Sequence, residues 1–542
     1  MGNQILRLSR RRALIAGAAL AAFAFTSAPA AAQDNACRIV FAHGAAVTSI
    51  DPHFHALTPN GAVAEHIFSK MVLQDENLRV QPGLAKSWEV SAEDPKVWTF
   101  HLRDDVKWHD GTPFTADDIV YTFERVPNVP NSPSNYSLYT QHVAKIDVID
   151  DHTIQFTTKD VFPLMPQYAA LLTIISRNAS EGRSTQDFND GIAAIGTGPY
   201  KYKEYVPGEK IVLTRNEDYW GDKPQVKEVE FRFISNNATR VAALLAGDVD
   251  VIDTVPTIDA DSLAARDGIR VVSTAGVRNI FISIDQGREA SPFVFDNAGK
   301  PLEKNPLLDQ KVRQALSMAI NRSAIVKAVM NGQAAPSGQL LPKGVMGHVE
   351  ELTPLEYDAE GARKLLAEAG YPEGFQITLH GPNDRYINDA EVVQAVAQMW
   401  TRIGVKTTVD TMPSSVYFTR SGKDEFSAGL LGWGTGSGEP DSPMVGVLAS
   451  KDASRGRGTA NRSLYSSPEF DALLDKALAS VDIDEREGFY RDATRVAIND
   501  VSIIPLHHQY NIWAMRDGLN IIPQVDEQSL ARNVSFENAD CK

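Results

Sequence analysis

The chain has 542 residues and a formal charge of −16, with 43% hydrophobic and 23% charged residues. That length is too great for a single core, so two or three domains are expected. The acidic balance argues against nucleic acid as a partner, and past the N-terminus no stretch reaches the roughly 18 apolar residues of a membrane span.

Residues 1–32 read as an export segment. Arg7, Arg10, Arg11 and Arg12 form a basic region, an Ala/Leu/Phe-rich stretch follows, and Ala30-Ala31-Ala32 is a small-residue cleavage site. The run SRRRAL (9–14) is similar to a twin-arginine motif, with an ordinary secretory signal as the alternative. Cleavage would place the mature start near Gln33 in the periplasm and take the charge from −16 to −20, since four arginines and no acids are removed. The only two cysteines, Cys37 and Cys541, then lie at opposite ends of an exported chain. A disulfide tying the termini is one reading and two free thiols the other.

Chain order gives a strand at Arg38-Ile39-Val40-Phe41, then a turn-rich SIDPH (49–53). Residues 97–102, 145–149 and 153–156 read as strands. Thr115 is the expected N-cap of a short helix with Asp117 and Asp118 in its first turn. Residues 229–233, 237–246 and 249–252 read as strand, helix and strand, with Gly247 ending the helix, and so predict a parallel crossover. Residues 279–285 add a strand. Amphipathic helices are then expected around Val312 to Ile320, after Asp358, from Val392 to Ile403, and after Ser467-Pro468 with a stripe reaching Val481. Strands at 375–380 and 405–411 form a second crossover unit, and IIPLH (503–507) reads as a returning strand.

Four segments carry a family resemblance: residues 84–125, GTGPY (196–200), RNEDYW (215–220) and VRQALSMAI (312–320). In that order and spacing they resemble the periplasmic solute-binding proteins of ABC importers, dipeptide/oligopeptide-binding class, extracellular solute-binding family 5. The resemblance implies an α/β, two-lobed, hinged periplasmic-binding-protein fold, with mixed sheets flanked by helices and an extra inserted subdomain. We expect lobe I to comprise 33–80, 197–286 and 505–542, the insert 81–196, and lobe II 287–504. The implied role is transport without chemistry: a small peptide or peptide-like solute is closed between the lobes and passed to an inner-membrane ABC permease with its ATPase. A monomer without cofactor or metal is expected.

The expected cleft loop is LLGWGTGSGEPD (430–441), where Trp433 offers an apolar wall and Gly434 and Gly436 let backbone approach a ligand. Its other reading is a tight structural turn. In peptide-binding relatives this loop carries an aspartate that pairs with the peptide amine. Here Gly436 stands at that position, which leaves Glu439 or Asp441 as substitutes or points to a ligand without that amine. PNDR (382–385) resembles the loop whose arginine clamps a ligand carboxylate, so Arg385 is expected to do so; the alternative is a surface pair with Asp384 or Asp389. His55 and Thr58 are further contact candidates, with Tyr417, Arg462 and Tyr465 from the second lobe. Neither H-E-x-x-H nor G-x-S-x-G is present. His507 and His508 are adjacent on a strand, so their side chains point to opposite faces and cannot chelate together. A saccharide, an opine-like conjugate or a metal chelate is the alternative ligand.

Overall fold

The computed structural model describes residues 37–133, 136–537 and 541; the export segment, its arginines and the cleavage site lie outside them. The architecture is built on a twelve-stranded mixed sheet. Its first part runs, in spatial order, Tyr200–Val206, Lys210–Arg215, Glu228–Phe233, Arg38–His43 and Val251–Ile252. Two long strands follow, Ile503–Arg516 and Ile269–Ile284, paired antiparallel over most of their length. Beyond them lie Ala428–Trp433, Phe375–Pro382 and Val294–Phe295, with Val405–Met412 parallel to Phe375–Pro382. The two long strands therefore belong to both lobes and join them into one sheet.

The second crossover unit has the expected form, since Phe375–Pro382 and Val405–Met412 are direct parallel neighbours. The first is also a parallel crossover as expected, with a further strand between its two strands. Arg38–His43 lies between Glu228–Phe233 and Val251–Ile252, parallel to both, so the crossover skips one strand. Ile39 and Phe41 of that inserted strand are fully buried with Phe231, Tyr200 and Trp513 in the first lobe's core. The second lobe packs Leu316, Ile377, Val393, Trp400 and Leu430 in a core of its own. Strand 279–285 also begins ten residues earlier than its apolar pattern suggests, at Ile269, because its first half is only partly buried and lacks strict alternation.

The insert is a four-stranded antiparallel sheet in the order Ala85–Val90, Val97–Leu102, Thr153–Thr158, Val143–Asp150. Trp98, Phe100 and Leu102 alternate inward, as period-2 patterning requires, against Phe114 and Phe156. Helix Ala116–Arg125 starts at Thr115, whose backbone N–H donates to Asp118 at 3.0 Å; Trp108 Nε1 donates to the same carboxylate at 3.2 Å. The GTGPY segment meets the end of helix Thr58–Ile67 so closely that a Cβ on Gly196 would sit 1.7 Å from the Ile67 carbonyl oxygen. No other residue fits there.

Helix Pro468–Ala479 carries the Ser467 cap, with the Phe470 N–H donating to the Ser467 hydroxyl at 3.3 Å. Its stripe ends earlier than expected: Val481 lies past the helix and is exposed. The 17-residue helix Ile483–Asn499, absent from the sequence reading, follows at once. Cys37 and Cys541 are bridged by a disulfide, with Cα atoms 5.4 Å apart.

Candidate ligand-binding cleft

The long strand Ile269–Ile284 pairs Ala275 with Tyr510, then resumes at Asn279 with His508. The bulge between them turns Val277 and Arg278 into a cavity of about 530 Å³. Strand Ala428–Trp433 ends beside the same bulge, pairing Trp433 with Asn279. It delivers Trp433, Gly434, Thr435 and Gly436 to the cavity wall. From the first lobe come Leu57, Thr58 and Gly61 at the start of helix Thr58–Ile67, with Tyr136 and Tyr139 from the insert. Arg385, Tyr386 and Arg462 stand on the second-lobe side, and Asp526, Glu527 and Gln528 come from the C-terminal segment.

Arg385 is exposed, and its guanidinium carbon lies 5.2 Å from the centre of the Tyr386 ring. Neither acid expected as an alternative partner takes its guanidinium. Asp384 accepts the Ser414 backbone N–H at 2.7 Å, and Asp389 accepts the N–H groups of Arg385 and Tyr386 at 2.9 and 3.0 Å. Tyr386 donates its hydroxyl to the Gly432 carbonyl at 3.2 Å and so fixes the loop against the strand end. Arg462 donates to the Thr459 carbonyl at 2.8 Å and meets no acid among the described residues.

Several residues expected in the site lie elsewhere. Glu439 is only 2% exposed and points away from the cavity into a bidentate pair with Arg486, at 2.9 and 2.8 Å, and accepts from Gln167 Nε2 at 2.6 Å. Burial pushes Glu439 up while Arg486 pulls it down; burial prevails. Asp441 is also buried, taking hydrogen bonds from Ser437 and, at 3.3 Å, from the Tyr168 hydroxyl. Burial, then the nearby Glu439 charge, push it up to about 6. Tyr417 is buried beneath the strand, donating to the Leu430 carbonyl at 2.9 Å. Tyr465 donates to Asp500 at 2.8 Å. His55 Nδ1 lies 3.2 Å from the Thr48 hydroxyl and does not border the cavity, although Thr58 does. His507 and His508 are buried in strand Ile503–Arg516, and the described residues hold no cluster of three or more His, Cys, Asp or Glu able to bind a metal.

The sequence reading missed the charged floor. Lys70 pairs with Glu65, which also takes Arg532 Nη2 at 3.0 Å. Burial would raise Glu65, but the two cations outweigh it and bring it down to about 2. Arg278 Nε lies 3.2 Å from Glu527. These residues carry no local motif; folding gathers them from segments hundreds of positions apart.

The Gly-rich loop also ties the lobes along one edge of the cleft. Gln74 Nε2 donates to the Gly436 carbonyl at 2.9 Å, beside the Gln167–Glu439 and Tyr168–Asp441 contacts. On another edge, Asn388 and Asn331 each reach Thr257 Oγ1 at 3.2 Å. A cavity walled by both lobes and linked by polar contacts at its edges suits capture by closure. The described residues form no helix long and apolar enough to cross a membrane.

The model for bacterial extracellular solute-binding proteins, family 5 (middle), matches residues 79–455. The chain belongs to this family. Heme-binding protein A of Haemophilus influenzae is 28% identical, over 83% of this chain and 83% of its own. Di/tripeptide-binding protein 1 of Pseudomonas aeruginosa is 30% identical over 95% of each. Among solved structures, the ABC transporter-associated periplasmic binding protein DppA from Helicobacter pylori, in complex with the peptide STSA, superposes with a TM-score of 0.72. It is 26% identical and covers 92% of this chain and 98% of its own. As a family 5 protein the chain is a two-lobed extracellular solute-binding protein.

Proposed function

We propose that this protein captures a small peptide or peptide-like solute in the cleft and delivers it from the periplasm to an inner-membrane ABC permease with its ATPase. We assign 33–80, 197–286 and 505–542 to lobe I, 81–196 to the insert and 287–504 to lobe II, with the two long strands reaching from lobe I into the core of lobe II. The observation that carries the reading is Arg385, whose guanidinium borders the cavity with no acid paired to it among the described residues. A planar fork of donors beside an apolar wall is suited to a ligand carboxylate. The names of the P. aeruginosa relative and of the H. pylori complex point to the same ligand class. Capture needs no reaction at the ligand, and we assign no catalytic group.

The test is a thermal-shift screen of protein unfolded and refolded to remove carried-over ligand, with di- to pentapeptides and their C-amidated forms. A ligand at 100 times its Kd adds about 2.7 kcal/mol of stability. Free peptides should stabilise and amidated ones should not. Arg385→Ala should weaken the tightest peptide by about 2–5 kcal/mol once the pair is enclosed. Unchanged affinity in calorimetry would refute the clamp. A second reading, an opine-like conjugate, is favoured by Gly436, which brings no carboxylate to the loop. Stabilisation by conjugates alone would establish it.

A further inference from the structure

The ion pairs around the cavity leave one carboxylate over. On the first-lobe side Glu65 is held by Lys70 and Arg532, and Glu527 by Arg278. Asp526 borders the same cavity and forms no ion pair among the described residues. Its hydrogen bonds come from one neutral residue, Gln528, through the backbone N–H at 3.1 Å and Nε2 at 2.7 Å. An ionised carboxylate has about four lone-pair sites, so acceptor capacity remains. Arg385 and Arg462, which border the same cavity, also meet no acid among the described residues.

We infer that Asp526 receives the cationic end of the ligand, an ammonium, while the carboxylate end lies at Arg385. This rests on the peptide reading above and makes it specific: the amine is bound by the C-terminal segment, and the Gly-rich loop supplies only wall and backbone. Gly436 is compatible with that division, since the loop then needs no charge of its own. The electrostatics of the wall agree. Burial, then the Glu65 charge, push Asp526 up to about 6, with Lys70 acting the other way. The ionised form is therefore costly there, and an arriving cation relieves that cost.

The test is a cycle between one side chain and one ligand group. The tightest free peptide of the screen and its N-acetylated form are titrated calorimetrically against the parent protein, Asp526→Asn and Asp526→Glu. Acetylation should weaken binding to the parent by about 30-fold or more. Asp526→Asn should lose about as much for the free peptide and then be indifferent to acetylation, whereas Asp526→Glu should keep part of the penalty. Asp526→Ser gives the same comparison should the Asn variant not fold. An Asn variant that binds free peptide as the parent does, or that keeps the full acetylation penalty, overturns the assignment. A parent stabilised by no peptide overturns the peptide reading and the assignment with it, and shows before any variant is made.

Discussion

Gly436 and Gly438 lie two positions apart in one loop and obey opposite constraints. A Cβ on Gly436 would meet only Leu171 Cδ2, at 3.7 Å, so the position is open to a side chain. Gly438 has φ +79°, and a Cβ there would sit 2.3 Å from the Leu78 carbonyl oxygen. Gly438→Ala should therefore cost roughly 1–3 kcal/mol or more, from left-handed strain plus the contact. Gly436→Ala should stay within about 0.5 kcal/mol of the parent. Urea unfolding of both variants checks the pair, and equal losses would contradict it. At this scale the sequence was informative where chemistry is local. Trp433, Gly434, Gly436, Thr58 and Arg385 all border the cavity. It misled where partners are remote: acids in a glycine-rich loop resemble ligand groups, yet Glu439 is satisfied by Arg486 and Gln167, 47 and 272 positions away.

Among the elements, helix Ile483–Asn499 matters most to the loop, because it carries Arg486. Glu439 and Arg486 are both about 3% exposed, so neither charge has water as an alternative partner. Arg486→Met should cost about 3–5 kcal/mol by leaving a buried carboxylate without its cation. Adding Glu439→Gln should recover much of that loss, a coupling that denaturant melts of the two single variants and the double variant measure. Additive losses would mean that the two groups do not depend on each other. This helix escaped notice for a physical reason. Its buried face is Arg486, Tyr490, Ala493, Thr494 and Ala497, which is largely polar or small, so no apolar stripe marks it. The strand at Arg38 was legible, but its place between Glu228–Phe233 and Val251–Ile252 was not, because a register pairing Arg38 with Glu228 joins distant segments and leaves no local sign. The Phe375–Val405 crossover was legible because strand, helix and strand are contiguous and alternate cleanly.

Over the whole molecule, acid is the expected weakness. Burial is the leading cause that lowers His53, His109 and His507 to about 4, and His66 and His508 to about 3. Unfolding frees each to take up a proton below its usual 6.5, so stability is lost as pH falls from about 6.5 towards 4. Asp441 and Asp526, raised to about 6, oppose this, because the folded state binds their protons first in the same window. Each displaced pKa unit is worth about 1.4 kcal/mol, and five histidines outweigh two aspartates. The melting temperature should therefore drop between pH 7 and pH 5, and a rise in calorimetric scans would show that the aspartates dominate.

The sheet that crosses both lobes has a further consequence. Strands Ile269–Ile284 and Ile503–Arg516 run from one lobe into the other and complete each lobe's share of the hydrogen-bonded ladder. If one lobe unravelled alone, the other would keep a raw strand edge with a row of unpaired N–H and C=O groups. The two lobes are thus expected to melt as one. The cooperativity of unfolding would then come from the pair of strands that joins them.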